Sequence, residues 1–161
     1  DMKSLYEETK RKNIHLEGDN IETLGRGNFI DLLYKKMCRP HLIEPTFLIN
    51  HPIDLSPLAR ANNDNQEITD RFQLVVNGAE IINAYSELVD PVEQRKRLEA
   101  QAILKSDGDV EAMEMDEDYL LAMEYGMPPI SGWGFGIERL LMVLTDCDTI
   151  KDCVLFPLTR K

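Results

Sequence analysis

Basic side chains are in short supply in this 161-residue sequence. Eighteen Lys and Arg stand against twenty-nine Asp and Glu, for a formal net charge of −11. Affinity for nucleic acid rests mainly on Lys and Arg neutralising phosphates, so this segment is poorly equipped to grip a phosphate backbone by itself. Cysteine is sparse as well. Cys38, Cys147 and Cys153 are odd in number and form no CxxC pair, and with His15, His41 and His51 they make no zinc spacing. That usage points to a reducing, cytoplasmic compartment. No apolar run approaches the roughly 18 residues that span a bilayer, and the opening "DMKSLYEETKRKN" lacks the apolar stretch of a secretory leader. Neither a repeat, a low-complexity tract, a GxGxxG nor a GxxxxGK[ST] occurs, which removes solenoid, Rossmann and Walker phosphate-loop readings.

What is present is the composition of an ordinary globular domain, long enough to bury a core. Asp1 precedes Met2 and a helical pattern starts at once, so the sequence reads as a piece of something longer. Residues 5–13 and 29–42 predict helices. In the second, Phe29, Leu32, Leu33, Met37 and His41 fall at helical spacing, with Asn28 as the N-cap. "EPTFLINHP" predicts a short strand bracketed by prolines, and "DLSPLARANNDN" a polar loop. Then "DRFQLVV" and "AEIINAYSEL" are two β-type runs joined by Asn77-Gly78, a strong hairpin signal. Asp90 caps a charged helix that starts at Pro91 and runs to about residue 105. An acidic connection leads to a further helix ended by Gly126, with Pro128 and Pro129 beyond it. "ISGWGFGIERLLMVLT" reads as a strand turning directly into a helix, and "CVLFPL" as a last apolar strand. Helices and strands alternate irregularly around an antiparallel hairpin, which is the α+β class.

Two stretches carry groups that ask for partners. With a two-residue turn at Asn77-Gly78, Val76 faces Ala79, Val75 faces Glu80 and Gln73 faces Ile82. Gln73 and Glu80 are then diagonal neighbours, close enough to converge on one hard cation. Asn83, Tyr85 and Glu87 share a face by alternation, but Glu80 has the opposite parity. Only a bulge or strong twist between Ile81 and Asn83 brings all four together. Two readings stay open for this run: a solvated edge strand, or a pocket wall facing something positive. In "GWGFGIER", Gly132, Gly134 and Gly136 form one bare face, while Trp133, Phe135 and Ile137 pack a core on the other. The bare face suits close approach of a flat ligand. Arg139 falls in the first turn of the next helix, where a bound anion offsets its unfavourable position against the dipole; the alternative is pairing with Glu138 or Asp146.

These segments, in this order, resemble the C-terminal part of the catalytic domain of class II lysyl-tRNA synthetases. "GWGFGIERLLMVLT" looks like class II motif 3, and "PTFLINHPIDLSPLAR", "ITDRF", "EIINAYSEL", "DEDYLLAMEYGMPP" and "TIKDCVLFP" look like the lysyl branch. The likeness is specific from about Pro40 onward. Residues 1–43 are looser and resemble the helical stretch between motifs 2 and 3, with 44–161 as the sheet core. The resemblance implies part of the class II antiparallel sheet flanked by helices. It implies that Glu87 pairs with the ε-ammonium of substrate lysine, and that Asn83 and Tyr85 shape the amino-acid pocket, with Asn83 near metal and phosphates. It further implies that Glu80 holds magnesium against ATP, that Gly134 lines the pocket floor, and that Arg139 contacts the γ-phosphate as the catalytic arginine.

Where this family usually has a second metal-binding glutamate, the chain has Gln73, which removes one negative charge from the site. Motif 1 of the dimer interface, motif 2 with its α-phosphate arginine, and the anticodon-binding OB domain have no counterpart in the sequence. The resemblance therefore implies a fragment of a homodimeric lysine–tRNA ligase, inactive alone, whose parent uses L-lysine, ATP, Mg2+ and tRNA(Lys). The alternatives are a stand-alone synthetase-like ligase that modifies a translation factor, and a non-catalytic synthetase-like domain.

Overall fold

A computed structural model describes residues 2–16 and 21–157. Its centre is the hairpin. Strand β2 (Arg71–Val76) and strand β3 (Ala79–Ser86) are joined by Asn77 and Gly78, both left-handed at φ 49° and 69°. That pair of conformations matches the twist of the flanking strands, which is why Asn-Gly is favoured here. Strand β1 (Thr46–Ile49) pairs with the outer edge of β2 and strand β4 (Ser131–Phe135) with the outer edge of β3. All neighbours are antiparallel, in the order β1-β2-β3-β4.

The register corrects one expectation and fulfils another. Val76 faces Ala79 and Val75 faces Glu80, but Leu74 then faces Ile82, so Gln73 meets Asn83 rather than Ile82. Ile81 is the extra residue of a bulge. Its carbonyl accepts the Gly136 N–H at 2.9 Å. Because the bulge breaks the two-residue alternation, Glu80 joins Asn83 and Tyr85 on one face.

The two faces of the sheet differ in kind. One carries Gln73, Asn83 and Gly134 in a row, then Arg71, Tyr85 and Gly132. The other is apolar: Phe47, Leu74, Ile82 and Phe135 in one row, Ile49, Phe72, Ala84 and Trp133 in the next. Trp133 and Phe135 do not pack a core as the sequence predicts. Trp133 is 69% exposed, and its nearest ring contact is Phe135 at 5.9 Å. Phe47, Ile49, Phe72 and Phe135 of this face are likewise exposed.

Helices frame the polar face. Helix α1 spans Met2–Arg11 and α2 Arg26–Met37. α2 starts earlier than predicted, after Gly25, and Asn28 is not its cap. Instead the buried Asp109 carboxylate accepts the Gly25 N–H at 2.7 Å and the Asn28 amide at 2.9 Å, capping the helix from a distant loop. α2 stops at Met37 and continues only as a 3-10 turn, Arg39–His41, because Pro40 cannot extend the ladder. Helix α3 (Pro91–Ser106) begins as predicted, with the Asp90 carboxylate accepting from the Val92 and Glu93 N–H groups. Helix α4 (Glu117–Glu124) is capped by Asp116 and ends at Gly126, whose φ is 116°. Leu98 of α3 packs with Leu120 and Met123 of α4 in a buried cluster flanked by Leu58 and Tyr119.

Helix α5 (Ile137–Thr145) follows β4 after one residue, Gly136. The predicted final strand is not formed. Thr149 caps a 3-10 turn, Ile150–Cys153, and the chain then runs on with Leu155 and Phe156 exposed and paired to neither sheet edge. Leu158, the end of that predicted strand, lies outside the described residues.

Candidate functional site

Arg71 organises the middle of the polar face. It sits opposite Tyr85 and donates from Nε to Asn83 Oδ1 at 3.0 Å and from Nη1 to Ser56 Oγ at 2.9 Å. The planar fork thereby fixes the Asn83 amide. Burial pulls the Arg71 guanidinium below its ordinary range, while the Glu80 and Asp31 carboxylates push it back. Beside it, the buried Gln73 donates its amide to Glu80 Oε2 at 2.8 Å. His51 is buried, with the Gln73 side chain and the Arg71 backbone beside its ring. Burial, then Arg71, lowers its pKa, so the imidazole stays neutral.

At the far end of β3 lies Glu87. Its N–H donates to Ile130 O at 3.1 Å, and its backbone bridges to Ala59. The carboxylate rests on Gly132: a Cβ there would sit 2.5 Å from Glu87 Oε1, so the carboxylate would have to shift to admit a side chain. Burial alone raises the Glu87 pKa, and no basic side chain among the described residues pairs with it. Burial and then Glu87 raise the Tyr85 phenol, and the same causes raise Tyr119 of α4, which brings a second phenol to this end. Gly134, next along β4, is different. A Cβ there would have nothing nearer than Asn83 O at 4.0 Å, so open space stands before it. Asn83 and Tyr85 line a cavity of about 190 Å³ with Arg71 and Ser56, and Glu87 lines another of about 260 Å³ with Arg60 and Ser131.

At the opposite end, Arg139 in the first turn of α5 donates from Nη1 to the Glu80 carbonyl at 2.8 Å. It reaches the bulge rather than Glu138 or Asp146. The exposed guanidinium keeps further donors for an anion, beside the free N–H groups of the α5 start. Glu80, Asn83, Tyr85, Gly134 and Glu87 thus line one polar face, with Arg139 at its Glu80 end. The seven steps from Glu80 to Glu87, at ~3.3 Å each, make it roughly 20 Å long. Cation-seeking and anion-seeking groups stand at its two ends.

No cluster of three or more His, Cys, Asp or Glu side chains suited to a metal occurs among the described residues. The oxygens present are the Glu80 carboxylate and the Gln73 and Asn83 amides, all hard donors. Mg2+ keeps several waters and takes one or two carboxylates plus substrate phosphates, so this donor set fits it. Reading the sequence for site residues overlooks Arg71, Ser56, His51 and Tyr119. For Arg71 a signal exists, since it is the one cation in the run "DRFQLVV" opposite the polar half of β3. Ser56, His51 and Tyr119 come from loops and α4, and nothing in their local sequence marks them.

Comparison with known proteins places this geometry in context. The family model for class II tRNA synthetases of the D, K and N types matches residues 6–160. A lysine–tRNA ligase of Azobacteroides pseudotrichonymphae is 49% identical over 147 residues, covering 91% of this chain and 29% of the relative. One from Moorella thermoacetica is 46% identical over 160 residues, covering 99% and 33%. One from Porphyromonas gingivalis is 48% identical over 139 residues, covering 86% and 24%. The chain therefore spans a third or less of the length of these relatives.

Proposed function

Since the chain belongs to the class II tRNA synthetases of the D, K and N types, we propose that its polar face is the lysine and ATP γ-phosphate side of a lysine–tRNA ligase active site. The observation that carries this reading is Glu87: a half-buried carboxylate, its pKa raised by desolvation, with no cation of its own among the described residues and a glycine floor beneath it. A buried carboxylate left this way is costly unless a cation is its intended partner. The ε-ammonium of lysine fills that role, with Tyr85 and Tyr119 as walls and the open space over Gly134 receiving the body of the amino acid.

In the proposed reaction the lysine carboxylate attacks the ATP α-phosphorus, pyrophosphate leaves, and lysyl-adenylate passes lysyl to the 3′ end of tRNA(Lys). No side chain here acts as a nucleophile; the residues position and stabilise charge. Arg139 takes γ-phosphate oxygens with the donors that Glu80 O leaves free. Arg71 holds the Asn83 amide toward the amino acid and phosphates. Glu80, with Gln73 beside it, is the residue that would hold Mg2+, which when bound supplies charge neutralisation for the phosphate chain. The parent enzyme is proposed to be a cytoplasmic homodimer. No helix among the described residues is long and apolar enough to cross a membrane.

The test is ATP–pyrophosphate exchange by the full-length enzyme as a function of lysine concentration. Glu87→Gln leaves an ammonium facing a neutral group and should cost about 3–5 kcal/mol of lysine binding, at least a hundredfold in KM. An unchanged KM would overturn the assignment.

A further inference from the structure

Two glycines of β4 stand two residues apart on the polar face, and what lies over each is different. Gly134, opposite Asn83, has open space before it, since a Cβ there would find nothing nearer than 4.0 Å. Gly132, opposite Tyr85, is covered by the Glu87 carboxylate, whose Oε1 lies 2.5 Å from where a Cβ would sit. The Glu87 backbone is anchored on two sides, by its N–H to Ile130 O at 3.1 Å and by the bridge to Ala59. Only the side chain is therefore left to answer a change at position 132. Arg60 lines the same cavity as Glu87, but its guanidinium donates to Asp70 Oδ2 at 2.6 and 3.2 Å. It does not draw the Glu87 carboxylate away from β4.

We propose that Gly132 is a specificity-determining residue, which sets the chain length of the amine that the site accepts; this rests on the assignment of Glu87 to the substrate ε-ammonium. The two glycines are roughly 6.6 Å apart along the strand, which matches the length of an extended four-methylene amine. An amino acid whose body lies over Gly134 therefore brings its terminal ammonium to a carboxylate lying over Gly132. A methyl group at 132 requires ordinary van der Waals contact, so the Glu87 carboxylate has to move by roughly 1 Å. The sheet lies beneath it, and the carboxylate moves outward into the space left for the ammonium. That displacement is about one methylene of the substrate chain, a difference worth roughly 10–200-fold in a fitted site. Gly132 is not in the left-handed region, so alanine there acts through the carboxylate and not through the main chain.

ATP–pyrophosphate exchange by the full-length enzyme, measured with L-lysine and with L-ornithine, which is shorter by one methylene, reads this length. Gly132→Ala should lower the lysine-to-ornithine ratio of kcat/KM by about tenfold or more. Glu87→Asp draws the carboxylate back toward β3, needs no side chain at 132, and should move the ratio the other way. In the Glu87→Asp background, Gly132→Ala should change the ratio by less than about threefold, because the shorter acid no longer lies against position 132. A ratio unmoved by Gly132→Ala or by Glu87→Asp, a loss shared equally by the two amino acids, or the same effect of Gly132→Ala in both backgrounds would each overturn the proposal. Glu87→Gln separates the failures. If it raises the KM for lysine while Gly132→Ala leaves the ratio alone, the amine assignment stands and the length proposal falls; if it leaves that KM unchanged, both fall.

Discussion

Replacing Gln73 by glutamate should make the stability of the fold depend on magnesium. The Gln73 amide nitrogen donates to Glu80 Oε2 at 2.8 Å in a nearly buried position. Gln73→Glu puts a carboxylate oxygen where that donor was. Two charges roughly 4 Å apart at an effective dielectric of ~20 repel by about 4 kcal/mol. The lost hydrogen bond to a charged acceptor adds about 1.5–3 kcal/mol. The pair can relieve itself by taking up one proton, which from an ordinary glutamate pKa near 4.3 costs about 3.7 kcal/mol at pH 7. The destabilisation at pH 7 is therefore capped at about 4 kcal/mol. Its sign with pH follows from the raised folded-state pKa: the penalty is full above that value and vanishes below about pH 4.3. A divalent cation between the two carboxylates removes it at neutral pH. Thermal melts of the full-length protein at pH 7 should show Gln73→Glu lower than wild type by on the order of 10 °C without metal. Millimolar Mg2+ should restore most of the loss while barely moving wild type. Equal melting temperatures without metal, or the same response to Mg2+, would refute the placement of these two side chains.

Other substitutions separate binding from stability. Gly134→Val puts its Cβ no nearer than 4.0 Å to Asn83 O, so the melting temperature should hold while KM for lysine or ATP rises about tenfold or more; unchanged exchange kinetics would mean the space over Gly134 is not used. Arg71→Lys should lower lysine-dependent exchange and destabilise the fold by about 1–3 kcal/mol, because one ammonium cannot serve both Asn83 and Ser56; near-wild-type kinetics and melting would contradict that. For His51, burial holds the folded pKa below the unfolded value near 6.5. Its contribution is whole above about pH 6.5 and falls as pH drops toward the folded value, by up to about 1.4 kcal/mol per pH unit. His51→Gln should remove that part of the slope between melts at pH 7.5 and 5.5, and an identical slope in the two proteins would count against a buried neutral imidazole.

Much of this molecule is legible in one dimension because the signals are local. Asn77-Gly78 demands the left-handed turn that pairs β2 with β3, Asp90 and Pro91 start α3, and Gly126 ends α4 within reach of their own backbone neighbours. That Asn83, Tyr85 and Glu87 share a face likewise follows from simple alternation within one segment. What the sequence left undecided depends on a partner. The bulge at Ile81 exists only relative to β2, and it alone turns Glu80 toward Asn83 and sets Gln73 beside them. α2 begins at Arg26 because Asp109, 84 residues beyond Gly25, supplies the cap. "CVLFPL" has the composition of a strand, but its described residues pair with neither sheet edge, and Leu155 and Phe156 stay exposed. Arg71 becomes part of the site only when Ser56 and Asn83 arrive around it. Periodicity and caps act over a few residues of chain, whereas register, desolvation and cross-sheet hydrogen bonds are properties of two segments brought together, and only the tertiary structure brings them.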